Sequence, residues 1–341
     1  MPNPVVRRLG LAAAAAALAF AGVELAARSR ARPTEPIPDR WHERFPQPYT
    51  MFGRCQRPPT GPKPDGEFRV VMLGGSTVAL GEPPLPDLLE AALRRRGHGR
   101  ARVYNCGAVS QNSGQQLARL LFEVADHAPD LVVAYDGGND VMDPYQFDPR
   151  PGYPMNFLAY ERNPLMTREV SRYPLLPLLL LGSQALRDAF PDYFAETLLE
   201  LPLLRRQQGY LTAPWRERIA RRYADHHRKA ALVAAALDAR YAVFLQPLLF
   251  YARPPRPAAP GFEDGMWAHA PAAREAIRAR LRAAPLPPPA RFFDLSDLFA
   301  GAGGEPFADF IHVKQPAREA VAEALAARLH EARLLSPAGR Q

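Results

Sequence analysis

The sequence predicts an α/β fold, a three-layer α/β/α sandwich around a central five-stranded parallel sheet. From Phe68 onward, short apolar runs alternate with longer segments of helical pattern. This alternation is typical of right-handed β-α-β crossovers, which place consecutive strands parallel in one sheet. A chain of 341 residues with 47% hydrophobic residues is also long enough to bury the core that such a sandwich needs.

The elements follow in order along the chain. Strands are expected at 69–73, 102–105, 131–135, 241–245 and 291–294, and helices near 85–96, 111–125, 216–240, 271–283 and 315–334. Between Met142 and Pro214 the rhythm is lost in a segment rich in proline, leucine and aromatic residues, which predicts an insertion at about 142–214. Its most apolar piece, Pro174 to Leu181, is too short to cross a membrane, so it is either a core element or a flap over a site. The sequence assigns no acyl pocket, and the leucine-rich stretch from Leu175 to Leu181 is the first place to look for one.

The first 32 residues form a membrane anchor or a signal segment. An apolar run from Leu9 to Ala27, interrupted only by Glu24, lies between basic residues on both sides. Ala19-Phe20-Ala21 offers a small-x-small cleavage site, so a secreted domain is the alternative to an uncleaved anchor. The run continues past that site, which favours a single N-terminal helix in the cell membrane with an extracytoplasmic catalytic domain.

Residues 33–65 are a linker or wrapping arm because they hold many prolines and no sustained apolar period. Trp41, His42 and Tyr49 in this arm either dock on the globular domain or touch a substrate. The domain itself occupies 66–341. The chain has only two cysteines, Cys55 and Cys106, which are free thiols or, in an exported domain, a disulfide pair.

Composition and charge exclude some function classes. The formal net charge of +8 suggests a nucleic-acid partner, but the basic residues alternate with acids along helical stretches and form solvated faces instead. Two cysteines exclude a four-cysteine metal site. Asp225-His226-His227 lies mid-helix, where adjacent histidines point about 100° apart and cannot share a metal. We therefore expect no nucleic-acid partner.

The first motif with chemistry is the run from Val70 to Thr77, an apolar strand that ends in Gly74-Gly75-Ser76. Ligands of open parallel sheets bind at the carboxyl ends of strands, which is where Ser76 falls. A phosphate-binding P-loop is excluded because its lysine is missing, and the G-x-S-x-G nucleophile elbow is excluded because Val78 replaces its last glycine. Ser76 is thus a candidate nucleophile, with a plain connecting turn as the alternative.

The second motif is Asp309-Phe310-Ile311-His312, just before the final helix. On a helical or tight-turn backbone, a spacing of three brings both side chains to one face. The carboxylate can then hold one imidazole nitrogen while the other faces a nucleophile, which is half of a catalytic triad. A surface aspartate followed by a histidine at a helix start is the alternative.

Two further motifs close the second and third strands: Asn105-Cys106-Gly107 and Gly137-Gly138-Asn139-Asp140. An enzyme that forms a tetrahedral oxyanion needs fixed hydrogen-bond donors beside its nucleophile, and backbone N–H groups and an asparagine amide can supply them. Both motifs fall at the sheet edge that carries Ser76. The alternative is an ordinary strand-to-helix turn, where glycine, asparagine and aspartate are common.

Together the motifs resemble the conserved blocks of the SGNH/GDSL hydrolases over roughly residues 68–330. Gly74-Gly75-Ser76 is similar to block I and Gly107 to block II. Gly138-Asn139-Asp140 resembles the G-x-N-D of block III, and Asp309 to His312 resembles the D-x-x-H of block V. Flanking stretches also resemble the family: Phe244-Leu245-Gln246-Pro247 and Phe293-Asp294-Leu295-Ser296. Gly75 replaces the aspartate of the Gly-Asp-Ser motif, which concerns substrate preference and fine geometry more than chemistry.

The resemblance implies a flavodoxin-like fold and ester hydrolysis without a metal or an organic cofactor. In that mechanism Ser76 is the nucleophile, His312 the base and Asp309 its partner, and the oxyanion hole consists of the backbone N–H groups of Ser76 and Gly107 with the Asn139 amide. The expected substrate is a small-molecule or glycan ester. Two alternatives are an O-acyltransferase acting on envelope polysaccharide and a catalytically silent module that binds glycan or scaffolds an envelope complex.

Overall fold

The computed structural model describes residues 10, 12–19, 55–155, 157–158, 201–253, 264–302 and 305–336. The chain divides into two units, Met1–Pro46 and Gln47–Gln341. In the first unit residues 12–19 are helical and exposed. Among the described residues, none of the helices has the length and apolar character that a membrane crossing requires. Most of the Leu9 to Ala27 run lies outside the described residues.

A five-stranded, wholly parallel sheet forms the centre of the second unit, which confirms the predicted fold class. The strands are β1 (Phe68–Gly74), β2 (Ala101–Asn105), β3 (Leu131–Asp136), β4 (Arg240–Leu245) and β5 (Arg291–Asp294). Their order across the sheet is β2-β1-β3-β4-β5. The three central strands are almost continuously apolar because both faces of a parallel sheet are covered by helices.

The helices of the second unit are α1 (Ser76–Ala79), α2 (Leu85–Arg95), α3 (Ser113–Phe122), α4 (Gly138–Gln146), α5 (Leu201–Gln208), α6 (Ala213–Ala236), α7 (Asp264–Ala283) and α8 (Gln315–Glu331). One predicted start is wrong. Helix α7 begins seven residues before Pro271, which lies inside it. A proline usually starts or breaks a helix, but the turns around Pro271 are fixed by buried Met266, Ala270 and Ala273 against the core.

Two apolar cores lie on opposite faces of the sheet. Val71 and Leu73 of β1 face a core built with α3, α6 and α7. Val70 and Met72 of the same strand face the other core, built with α2 and α8. Successive strand residues point to opposite faces, so one apolar strand supplies both cores. This gives the three layers that the sequence predicts.

The order of the strands places a crevice between β1 and β3. The chain moves outward from β1 to β2, then returns across β1 to β3 and continues in the opposite direction. Ligands of such sheets bind at this switch point, outside the carboxyl ends of the strands. Ser76 follows β1 and Asn139 follows β3, so the fold alone places both at the crevice.

The described end of the Pro-rich arm lies along the sheet edge. Arg57 forms an isolated antiparallel bridge with Asn105 of edge strand β2, and its N–H donates to the Asn105 carbonyl at 3.0 Å. A disulfide joins Cys55 to Cys106, so the two cysteines that the sequence left either free or paired are paired. Both are buried. The arm is therefore fixed covalently beside the turn that follows β2.

Candidate active site

Ser76 begins the four-residue helix α1 directly after β1. The preceding glycines allow close packing. A Cβ at Gly74 would lie 2.6 Å from the Tyr135 carbonyl oxygen, and one at Gly75 would lie 2.5 Å from the Asn139 amide nitrogen. The contact at Gly75 gives a reason for the departure from Gly-Asp-Ser, because the Asn139 amide occupies the position that the Cβ atom of an aspartate would need.

The structure brings Ser76, His312 and Asp309 into one hydrogen-bonded chain. The Nε2 atom of His312 lies 2.7 Å from the Ser76 Oγ, and its Nδ1 atom lies 2.7 Å from Oδ2 of Asp309. The carboxylate fixes the tautomer because it accepts the proton on Nδ1, which leaves Nε2 as the acceptor for the serine hydroxyl. This arrangement can generate an activated alkoxide.

Asp309 is held by its own loop as well as by the histidine. Its Oδ1 atom accepts the backbone N–H groups of Ile311 at 2.8 Å and His312 at 2.7 Å. The loop is closed by an antiparallel bridge between Phe307 and Val313. Partial burial acts to raise the pKa of Asp309, but hydrogen bonds donated by His312 and Ile311 outweigh it and lower that pKa. Asp309 is thus a stable anion facing the imidazole.

Asn139 lies at the start of α4, across the crevice from Ser76. Its Nδ2 atom donates one hydrogen to the Gln111 carbonyl at 2.8 Å. This hydrogen bond fixes the amide over Gly75, the residue before the nucleophile. An amide carries two hydrogens, so the second remains for a ligand. The Ser76 N–H is one of the first N–H groups of α1, which have no acceptor within their own helix.

Gly107, the second predicted backbone donor, lies just after β2. Its backbone N–H donates to Oδ1 of Asn105 at 3.0 Å, so this donor already has an acceptor within the protein. A Cβ at Gly107 would lie 2.8 Å from the backbone nitrogen of Ala79. The visible role of this glycine is close packing against the last turn of α1, which keeps the helix of the nucleophile in place.

From the sequence, Gln246 was named only within a flanking stretch and was given no role at the site. Gln246 follows β4, is almost fully buried, and accepts the Thr77 hydroxyl at 3.2 Å. A Cβ at Gly138 would lie 2.6 Å from its Nε2, so Gln246 packs between the residues adjoining Ser76 and Asn139. The strand-end position of Gln246 was the available signal.

A buried polar network lies behind Asn139. Asp140 accepts the Ser113 N–H at 3.1 Å and also the Ser113 hydroxyl, whose oxygen lies 2.9 Å from Nδ1 of His226. Asn139 and Asp140 therefore hold the start of α3 from both sides. Burial, followed by repulsion from Asp136, raises the pKa of Asp140 to about 7, and burial lowers the pKa of His226 to about 4.

The two adjacent histidines of α6 have different partners, in agreement with the predicted divergence. His227 places Nδ1 at 2.7 Å from the Tyr241 hydroxyl and Nε2 at 3.3 Å from Asp136. His226 instead contacts Ser113. Within the described part of the chain, no group of three histidine, cysteine or acidic side chains could hold a metal. The histidines support the elements that carry the crevice.

The buried carboxyl group of Asp140 gives a pH prediction. Its folded-state pKa of about 7 exceeds the ordinary 3.8, so the folded chain binds more protons than the unfolded chain between about pH 4 and pH 7. The contribution of Asp140 to stability should therefore fall as pH rises through that window and then level off, opposite in sign to the contribution of His226, whose pKa is lowered. In urea titrations from pH 4.5 to 8.5 we expect the native chain to lose stability relative to Asp140→Asn as pH rises. An unchanged slope in the variant would contradict the assignment.

Comparison with known proteins gives matches only among solved structures. No protein-family model and no curated protein match the chain. An alpha/beta hydrolase, LAE5, from the metagenome of Lake Arreo, Spain, is 14% identical; the match covers 79% of this chain and 96% of that one, with a TM-score of 0.43. A variant of Axe2, an acetyl xylan esterase from Geobacillus stearothermophilus, is 12% identical over 80% and 96%, with a TM-score of 0.43. A lipase/acylhydrolase from Enterococcus faecalis is 17% identical over 79% and 98%, with a TM-score of 0.39.

Several predicted features lie outside the described residues. They are Trp41, His42 and Tyr49 of the arm and the leucine-rich stretch from Leu175 to Leu181. The predicted insertion is described only at its two ends, where α4 begins the segment and α5 precedes α6.

Proposed function

We propose that this protein is a serine esterase of the SGNH/GDSL type that cleaves carboxylic esters. The observation that carries the proposal is the hydrogen-bonded chain from Ser76 through His312 to Asp309, with 2.7 Å at each contact. It lies at the crevice where a parallel sheet of this strand order binds its ligand. Each of the three groups also has the geometry that its step requires.

The first step forms an acyl-enzyme. His312 Nε2 takes the hydroxyl proton as Ser76 Oγ attacks the ester carbonyl carbon, and Asp309 stabilises the resulting imidazolium. The negative oxygen is held by the Ser76 N–H and the free hydrogen of the Asn139 amide. The carbon–oxygen bond to the alcohol then breaks, and the alcohol leaves with the proton from His312. The Gly107 N–H, the third predicted donor, would join the other two only by leaving or sharing its acceptor on Asn105.

The second step releases the acid. Water enters beside His312, whose side chain is about one-third exposed, and gives its proton to Nε2 as it attacks the acyl carbon. The intermediate collapses, the bond to Ser76 Oγ breaks, and the serine recovers its proton. A sugar hydroxyl in place of water would make the enzyme an acyltransferase. Analysis of products with a sugar acceptor separates the two, since hydrolysis gives free acid.

A fluorophosphonate probe tests the proposal, because it labels a serine only when that serine is activated. We expect labelling at Ser76, shown by peptide mass spectrometry, and its loss in His312→Ala. His330→Ala is the matched control: this exposed histidine lies near the far end of α8, about 20 Å along the helix, and should leave labelling intact. Equal labelling of both variants, or none of the native chain, would refute the esterase and favour a silent binding module.

We also propose an extracytoplasmic location behind an N-terminal membrane anchor. The buried Cys55–Cys106 disulfide supports this, since such bonds persist in oxidising compartments and are rare in the cytosol. The apolar run from Leu9 to Ala27, bordered by arginines, supports the anchor. Secretion after cleavage at Ala19-Phe20-Ala21 is the alternative, which carbonate extraction separates because only an anchored protein stays in the membrane pellet.

The disulfide makes this location testable in cells. When cells are lysed directly into denaturant that contains a maleimide, free thiols are alkylated at once. Cys55 and Cys106 should escape this alkylation because they are joined in the disulfide. They should become reactive only after reduction, and each should then add one label by mass spectrometry. Alkylation of both cysteines before reduction would place the domain in a reducing compartment and contradict the proposal.

A further inference from the structure

An apolar cavity of about 290 Å³ adjoins the proposed catalytic histidine. It lies between α1 with its following loop and the segment that carries His312 into α8. Most of its side chains are aliphatic or aromatic: Leu80, Leu85, Tyr135, Ile311, Val313 and Val321. Within the part of the chain that the structure describes, the other side chains that line it are those of Thr77, His312 and Arg318. A half-open apolar space of this kind takes up hydrocarbon rather than sugar.

The cavity has a buried end and an open end. Leu85 of α2 and Val321 of α8 are each 1% exposed and close it toward the core. Leu80 is 48% exposed and lies at the rim. Thr77, the residue after the nucleophile, also lines the space. The cavity therefore begins beside Ser76, because the residue after the nucleophile and the histidine that contacts it both line the space.

Arg318 is the one charged arginine that borders the cavity among the described residues. Its guanidinium donates to the Pro83 carbonyl at 3.1 Å in the loop after α1. Gly81, with a φ of +114°, makes room for the guanidinium, because a Cβ there would collide with it. The wall of the cavity is therefore mainly apolar with a cation on one side.

We propose that this cavity holds the acyl chain of the substrate, and that the preferred acyl group is a straight aliphatic chain of about six to ten carbons rather than acetyl. An apolar cavity of about 150 Å³ accepts the six carbons of benzene, and this one is nearly twice as large. The proposal rests on the esterase function, for which it specifies one side of the substrate.

The acyl side fits the cavity better than the alcohol side does. The acyl carbon stays bonded to Ser76 through both steps, so its chain gains from a closed apolar space. The alcohol must depart after the first step, once His312 has protonated it, and water must take its place. A chain enclosed by Leu85 and Val321 would delay that departure and obstruct the second step.

Two ester series test the assignment with the full-length protein. In the first, p-nitrophenyl esters run from acetyl to decanoyl; in the second, acetate esters run from ethyl to octyl. Each buried methylene should raise kcat/KM about fourfold, the equivalent of ~0.8 kcal/mol, until the cavity is full. We expect this rise in the acyl series only. A flat acyl series, or a rise in the alcohol series alone, would overturn the proposal.

A substitution at the rim connects the preference to this cavity. Leu80→Trp should block the entrance and lower the ratio of octanoyl to acetyl kcat/KM at least tenfold. Leu232→Trp is the matched control, because Leu232 is 56% exposed on α6 and does not line the cavity; its ratio should match the native chain. If fluorophosphonate still labels Ser76 while Leu80→Trp keeps the native ratio, the esterase stands and the cavity assignment fails.

Discussion

Replacing Ser76 with alanine is expected to lower kcat by at least about 10⁴-fold, because the reaction loses its nucleophile while the rest of the site stays in place. The change removes one oxygen atom at a position that is 7% exposed. The hydroxyl hydrogen-bonds to His312, and no larger group is removed, so the fold should be unaffected. The residual rate reports what the oxyanion donors contribute alone.

The measurement is kcat for a p-nitrophenyl ester at saturating concentration, with circular dichroism to confirm folding. Ser296→Ala is the matched control. Its hydroxyl contacts Asp294 and Arg278 beyond β5, three strand positions or about 14 Å from β1. The control should lose about 1 kcal/mol of stability and keep its kcat. A folded Ser76→Ala enzyme with native kcat would remove Ser76 from the mechanism.

Much of the fold could be predicted because parallel strands buried on both faces leave a strong apolar signal. β1, β3 and β4 each lie within a residue of their expected bounds. The start of α7 could not be predicted, since a proline ordinarily ends a helical pattern and only the contacts of buried Met266 and Ala270 with the core compensate here. The residues around Pro271 do not by themselves predict those tertiary contacts.

The candidate site, like the fold, could be predicted only in part from the sequence. Ser76, Asp309 and His312 lie in short motifs whose spacing already suggests contact, and the structure brings them together. Their catalytic roles remain predictions that substitution can test. The contact between Gln246 and Thr77 joins residues more than 160 positions apart, so no local spacing predicts it. The hydrogen bond from the Gly107 N–H to the Asn105 side chain is local, and the Asn105-Cys106-Gly107 motif was the available signal for it.

Replacing Asp309 with asparagine is expected to lower kcat by about 10⁴-fold while KM stays near its native value. The loop itself determines which way the amide turns. The backbone N–H groups of Ile311 and His312 both donate to Oδ1 of residue 309, so an asparagine would keep its oxygen there and present its NH₂ to the imidazole. Two donors would then meet, and His312 would move its proton to Nε2, where it cannot accept the proton of Ser76.

This reasoning predicts a specific pattern across two variants. Asp309→Asn should fold normally, bind substrate with native KM, and react with fluorophosphonate as slowly as it turns over ester, since both reactions need the same deprotonated serine. Asp297→Asn is the matched control: Asp297 is half-exposed and pairs with Arg274 and Arg278, contacts that contribute little at a surface. Native kcat in Asp309→Asn would show that His312 takes its orientation from another group and would remove Asp309 from the triad.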